Sequence, residues 1–108
     1  ALMLRILADR LAEALAEYLH VLIRKDFWGY SPNENLNVEE VIKEKYRGIR
    51  PAPGYPCCPE HKLKAIIFEK LDVTNNIGAS LTESYSMYPA ATVSGFYFAH
   101  PEARYFGT

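Results

Sequence analysis

Along the first third of the chain the apolar positions recur three or four residues apart. Leu4, Leu7, Leu11, Leu15, Leu19 and Leu22 form one stripe, flanked by Ala8, Ala12 and Tyr18, while Arg5, Arg10, Glu17 and Arg24 mostly lie off it. That is the period of an amphipathic helix, whose leucines are expected to face a core. The pattern should fail near Trp28-Gly29, and "GYSPNENLN" reads as a turn. The helix opens in mid-pattern without a capping residue, as expected of a segment cut from something longer. A second helix is predicted after Asn37, an N-cap residue, with Glu40 three positions on as the other half of a capping box. Val38, Val41, Ile42 and Tyr46 give it a small apolar face, and Gly48 is its expected terminator.

A third helix is predicted to start with Pro59 at its first position. Leu63, Ile66, Ile67 and Leu71 supply its buried side, and it should end near "DVTNNIG". The period then changes. In "SLTESYSMYPAATVSGFYFAH" the chain alternates through Leu81, Glu83, Tyr85 and Met87, turns around Tyr88-Pro89-Ala90 and returns through Val93, Phe96 and Phe98. This predicts an antiparallel pair, and "EARYFGT" starts another strand. Helices followed by strands give an α+β class, and neither repeats nor low-complexity segments interrupt it.

Composition narrows the function classes. At 108 residues there is room for at most one domain, and 49% hydrophobic with 23% charged residues is ordinary globular content. A net charge of -1 offers no field for nucleic acid or an anionic membrane. No apolar run approaches the roughly 20 residues of a membrane span. Two adjacent cysteines make a poor disulfide framework, which points to a reducing, cytoplasmic setting.

The stretch "RPAPGYPCCPEH", residues 50 to 61, holds four prolines, two cysteines, a glycine and a histidine. Three readings compete for it. Cys57, Cys58 and His61 are potential metal ligands, with His20 and His100 in reserve, but structural zinc wants a second, spaced pair that is absent. Cys58 lies just ahead of the predicted helix, whose dipole would lower a thiol pKa, with His61 one turn away as a base; small cysteines packed under a turn are the plainer alternative. The third reading is a rigid shelf. Pro51, Pro53 and Pro56 stiffen the backbone. Gly54 lets a flat group approach the main chain, and main-chain groups of Ala52 and Gly54 can read a heterocycle edge. Arg50 can grip a carboxylate and Tyr55 adds a ring. The shelf accounts for more of these residues than the other two readings; against it stands a rigid turn carrying a surface arginine.

"YRGIRPAPGYPCCPEH" closely resembles the signature of the S-adenosylmethionine-binding activation domain of cobalamin-dependent methionine synthase. "ADRLAEALAEYLH", "FWGYSPNENLN" and "LTESYSMYPAATVSGFYFAHPEARYF" agree with it, so the resemblance covers nearly the whole chain in order. It implies an α+β fold with a bent, twisted antiparallel sheet flanked by helices. It implies reactivation: S-adenosylmethionine is presented to cob(II)alamin carried by a neighbouring domain, and a flavodoxin-type or diflavin reductase donor supplies an electron. It also implies site roles. Arg50 should hold the methionine carboxylate, Ala52 and Gly54 should meet the adenine through backbone, and Tyr55 should lie beside the ligand near where cobalamin docks. Tyr105 and Phe106 should contact the nucleoside, and Glu13 should face the positive end of the ligand. His61 is a weaker candidate near cobalamin. The methyl leaves a neutral thioether, so no catalytic acid or base is expected, and no metal ligand is assigned. The family uses an aspartate from an earlier segment and continues past residue 108, so residues 1–108 should be part of a domain, inactive as an enzyme alone. The rival reading is a docking module for the cobalamin domain or flavodoxin that binds no nucleotide. A redox thiol protein is a third, which alkylation of Cys58 without loss of function would exclude.

Overall fold

The computed structural model describes residues 1–106. Helix α1 spans Leu2–Leu22 and runs into a π-helical turn, Ile23–Phe27, that closes at Gly29, where φ is 75°. The predicted stop near Trp28-Gly29 is where the helix ends. Helix α2 is short, Val38–Ile42, and its capping box forms as read: Glu40 N donates to Asn37 Oδ1 at 2.8 Å and Asn37 N to Glu40 Oε1 at 3.1 Å. Helices α3 (Leu63–Lys70) and α4 (Val73–Ile77) follow, then strands β1 (Ser80–Leu81) and β2 (Met87–Tyr88). The strands pair antiparallel, with Ser80 opposite Tyr88 and Leu81 opposite Met87. Helices around a small antiparallel sheet are the α+β class expected.

Several expectations need correction. The leucine stripe of α1 does not face a core: Leu4, Leu11 and Leu15 are 68%, 70% and 65% exposed. The opposite side of the helix turns inward instead, through Glu17, His20 and Arg24, which at 3.6 residues per turn lie roughly 180° from the leucines. Gly48 does not end α2. Glu44 takes the left-handed position (φ 58°), and Gly48 (φ 83°) serves a close approach, since a Cβ there would stand 2.1 Å from the Phe98 carbonyl oxygen.

Helix α3 starts at Leu63, not Pro59, because the Cys58 carbonyl is taken by the Gly54 N–H (2.7 Å) and the chain enters the helix through three-residue turns at Glu60, His61 and Lys62. Its inner face carries Ile67 and Lys64, while Ile66 and Leu71 are exposed. Asp72, with φ 47°, breaks the helix and lets Val73 turn inward at the start of α4.

The hairpin turn lies at 82–86 rather than 88–90. Thr82 N–H donates to Ser86 O (2.8 Å), and Ser86 N–H to Thr82 Oγ1 (3.1 Å), the local bonding that hydroxyl side chains favour. The returning residues 96–98 pair with 49–51, not with the hairpin. No strand forms over 102–106; Gly107 and Thr108 lie outside the described residues. The buried apolar side chains are Tyr46, Ile49, Ile67, Val73 and Ala79.

Gly48 and Gly78 share a left-handed backbone, φ 83° and 76°, but a Cβ on Gly78 meets open space. Gly78→Ala should therefore cost about 1 kcal/mol from backbone strain alone. Gly48→Ala adds the clash and should cost about 2 kcal/mol or more, lowering the thermal midpoint by roughly 10 °C, as read by circular dichroism.

Candidate functional site

Arg50 sits where three stretches of chain converge. On either side of it the backbone is fixed: Ile49 and Phe98 exchange hydrogen bonds, each 2.9 Å, and Phe96 N–H donates to Pro51 O at 2.9 Å. Gly95 permits this, because a Cβ there would stand 2.8 Å from the Pro51 oxygen. Arg50 N–H points away from the pairing and donates to the Tyr105 hydroxyl at 2.9 Å. The guanidinium reaches α1, where Nη2 donates to Glu17 Oε2 at 2.5 Å. Burial works most strongly against the Arg50 charge, but the Glu17 carboxylate with the Tyr46 and Tyr105 phenols together outweigh it and the net shift is upward. The Nε of Arg50 and Oε1 of Glu17 are closed off without partners.

From Arg50 the proline ribbon runs along a groove of about 1700 Å3. Arg50, Ala52, Gly54, Tyr55, Tyr105 and Glu13 all line it, as does His61. Phe106 is exposed and lies outside the lining. Pro51 and Pro53 are buried and anchor the ribbon. Part of its hydrogen-bonding capacity is already used. Gly54 N–H goes to Cys58 O and Ala52 O accepts from Tyr55 N–H (3.3 Å), which leaves the Ala52 N–H and the Gly54 carbonyl. A flat ring does rest on Gly54, but it is the imidazole of His61, whose Cε1 would be 2.3 Å from an added Cβ. Lys64, 7% exposed, stands behind that ring, its Nζ 3.0 Å from His61 Nδ1 and donating to Tyr85 O at 2.9 Å. Tyr55 is 62% exposed at the groove surface.

Both cysteines are free and half-buried. With α3 starting at Leu63, Cys58 is not at a helix N-terminus, and the dipole argument for a lowered thiol pKa does not apply. No group of three metal-capable side chains forms among the described residues.

Beneath the groove lies a polar layer that the sequence reading passed over. Arg24, fully buried, forks onto Glu34 (Nε to Oε1 2.6 Å, Nη2 to Oε2 2.9 Å) and lies 4.2 Å from the Tyr46 ring centroid. His20, also fully buried, sits between Tyr46 and Tyr97, ring centroids 4.7 and 5.2 Å away, and neither ring nitrogen has a protein partner. Burial, then the charges of Arg24 and Arg50, hold its pKa down at about 3. Burial, then the neighbouring Tyr105 hydroxyl, pushes the Tyr46 phenol far upward. Glu17 was the main residue missed. Its signal was available, since Glu13, Glu17, His20 and Arg24 repeat every three or four positions as a second, polar stripe.

The Arg50 guanidinium, the Glu13 and Glu17 carboxylates and several aromatic faces along a stiffened backbone suit holding a charged, flat ligand. Among the described residues neither free cysteine is hydrogen-bonded to a base, and fold and groove define a ligand-holding α+β domain. Its family is settled by comparison. The chain matches over residues 1–108 the family described as vitamin B12 dependent methionine synthase, activation domain, and belongs to it. A solved structure, the crystal structure of the MetH reactivation domain bound to AdoHcy, is 61% identical across 97% of this chain, with a TM-score of 0.94. The chain spans 32% of the length of that structure. The family is that of a methyltransferase, and no helix among the described residues is long and apolar enough to cross a membrane.

His20 yields a pH prediction. Its folded pKa is depressed, so the unfolded state binds the extra proton. The stabilisation is fully present above the unfolded value near 6.5 and is lost as pH falls toward 3. Between pH 7 and pH 5 the wild type should lose about 2 kcal/mol more than His20→Phe, measured by urea unfolding at each pH.

Proposed function

We propose that this chain binds S-adenosylmethionine in the groove and presents its methyl group for the reductive methylation of cob(II)alamin. The cobalamin is held by a neighbouring domain, and the electron comes from a flavodoxin-type or diflavin reductase donor. The observation that carries the reading is 61% identity, across 97% of the chain, to a reactivation domain crystallised with AdoHcy, the molecule S-adenosylmethionine becomes once its methyl has left.

The residues present fit such a ligand. The accessible side of the Arg50 guanidinium would take the methionine carboxylate. Ala52 N–H and the Gly54 carbonyl would meet the adenine, with the Tyr105 ring toward the nucleoside. Glu13, exposed on α1 at the groove wall, would face the positive end of the ligand, and π-faces favour a sulfonium for the same electrostatic reason. Tyr55 would lie at the mouth where the corrin docks, with His61 behind it. A groove of about 1700 Å3 exceeds the roughly 300–1,000 Å3 that a small ligand fills, which leaves room for a second group to approach. S-adenosylmethionine supplies a methyl whose leaving group is a neutral thioether, so the chain's task is alignment rather than proton transfer.

One observation favours the rival reading, a docking module without nucleotide: the uncovered leucine face of α1. Calorimetry separates the two. Heat on titrating S-adenosylmethionine into the wild type, with affinity reduced at least about 30-fold in Arg50→Ala, is the expected result. No heat at millimolar ligand would favour docking alone.

A further inference from the structure

Arg50 is a long side chain that would lose considerable rotamer freedom on gripping a ligand. It is not free to lose it here. Its Nη2 is bonded to Glu17 Oε2, and both side chains are largely covered, 22% and 34% exposed. The atoms behind the contact, Arg50 Nε and Glu17 Oε1, are shut away from solvent. The usual two-pronged edge of the guanidinium is therefore turned into the chain, Nη2 bonded to Glu17 and Nε covered without a partner, which leaves Nη1 as the nitrogen able to meet a ligand. Glu17 itself is held firmly, because His20, one turn along the same face of α1, is fully buried between Tyr46 and Tyr97.

We propose that Glu17 is a positioning residue for the ligand's amino-acid end: it clamps Arg50 so that Nη1 meets the carboxylate in a preset orientation. This rests on the reading of the groove as a site for S-adenosylmethionine and deepens it. The clamp also gives Arg50 a partner for its half-buried charge before any ligand arrives, so the empty groove does not carry an uncompensated cation. Binding then requires no side-chain ordering at Arg50, which is where preorganisation gains affinity.

The test uses two ligands on the full chain. S-adenosylhomocysteine carries the nucleoside, thioether and amino-acid end; 5′-deoxy-5′-methylthioadenosine carries only the first two. In Glu17→Gln, of the same shape but uncharged, calorimetry should show S-adenosylhomocysteine weakened about tenfold. Methylthioadenosine should stay within about twofold of the wild type. Should Glu17→Gln fail to give a cooperative melt, Glu17→Asp, which keeps the charge on a shorter arm, takes its place, with the same split expected. Equal loss for both ligands would make Glu17 a general support of the groove and overturn the proposal. Unchanged or tighter binding of S-adenosylhomocysteine would overturn it too, making Glu17 a bystander or a competitor for Arg50. A wild type that binds neither ligand would overturn the nucleotide reading itself and this proposal with it.

Discussion

The backbone pairing that brackets Arg50 is the constraint on which the rest of the domain depends. Residues 49–51 and 96–98 lie antiparallel, close enough that neither Gly48 nor Gly95 can carry a side chain without meeting a carbonyl oxygen. Within this short ladder the N–H groups of successive residues point to opposite sides. Ile49 turns its N–H to Phe98, so Arg50 turns its own outward, to the Tyr105 hydroxyl. An outward N–H left bare would have been an open edge. Covering it with a tyrosine from residue 105 draws the end of the described chain over the ribbon, and the same ladder fixes the point from which the Arg50 side chain departs.

The second organising element is the inversion of α1. Its polar side is the one that packs, and the pairing of fully buried Arg24 with Glu34 shows how this is sustained: two charge-assisted bonds in a fork, with the Tyr46 ring against the guanidinium. Desolvation offsets most of the net stability of such a pair, yet removing one partner costs about 3–5 kcal/mol, because the other charge is stranded. The contact therefore acts mainly on orientation. It sets which face of α1 meets the ribbon, and so which carboxylate reaches Arg50. The leucine face is left outward as a consequence.

Much of this was legible in the residues. The capping box at Asn37 and Glu40, the stop at Gly29 and the stiffness of the proline ribbon are local chemistry, set by side chains within a few positions of one another. What escaped the sequence was long-range. Gly48 looked like a helix stop because nothing nearby reveals Phe98 as its neighbour. Residues 93–98 looked like the return arm of a hairpin, since alternation shows that a strand exists and not where it pairs. The leucine stripe pointed to the wrong face of α1, for periodicity finds an apolar side but does not say which contact wins when a buried ionic cluster competes for the helix. In the candidate site, Arg50 and Gly54 could be singled out by type and spacing. Glu13 and Tyr105 drew notice only through the family resemblance, and Glu17 was missed although its polar stripe was in plain sequence.

On the proposed reading, a reaction that moves no proton and the heavy use of backbone hydrogen bonds belong together. A methyl group moving from a sulfonium needs its donor and acceptor in line, and no proton needs to move. Rate then depends on position, and position is best held by bonds that are made whether or not ligand is present. The ladder at 49–51, the Tyr105 hydroxyl, the Glu17 carboxylate and the Cys58–Gly54 bridge are all of that kind. A mobile loop closing over the ligand would draw part of the binding energy into ordering itself. A ribbon already stiffened by Pro51, Pro53 and Pro56 leaves that energy for alignment, and its open side stays free for a second, larger group to come within reach of the methyl.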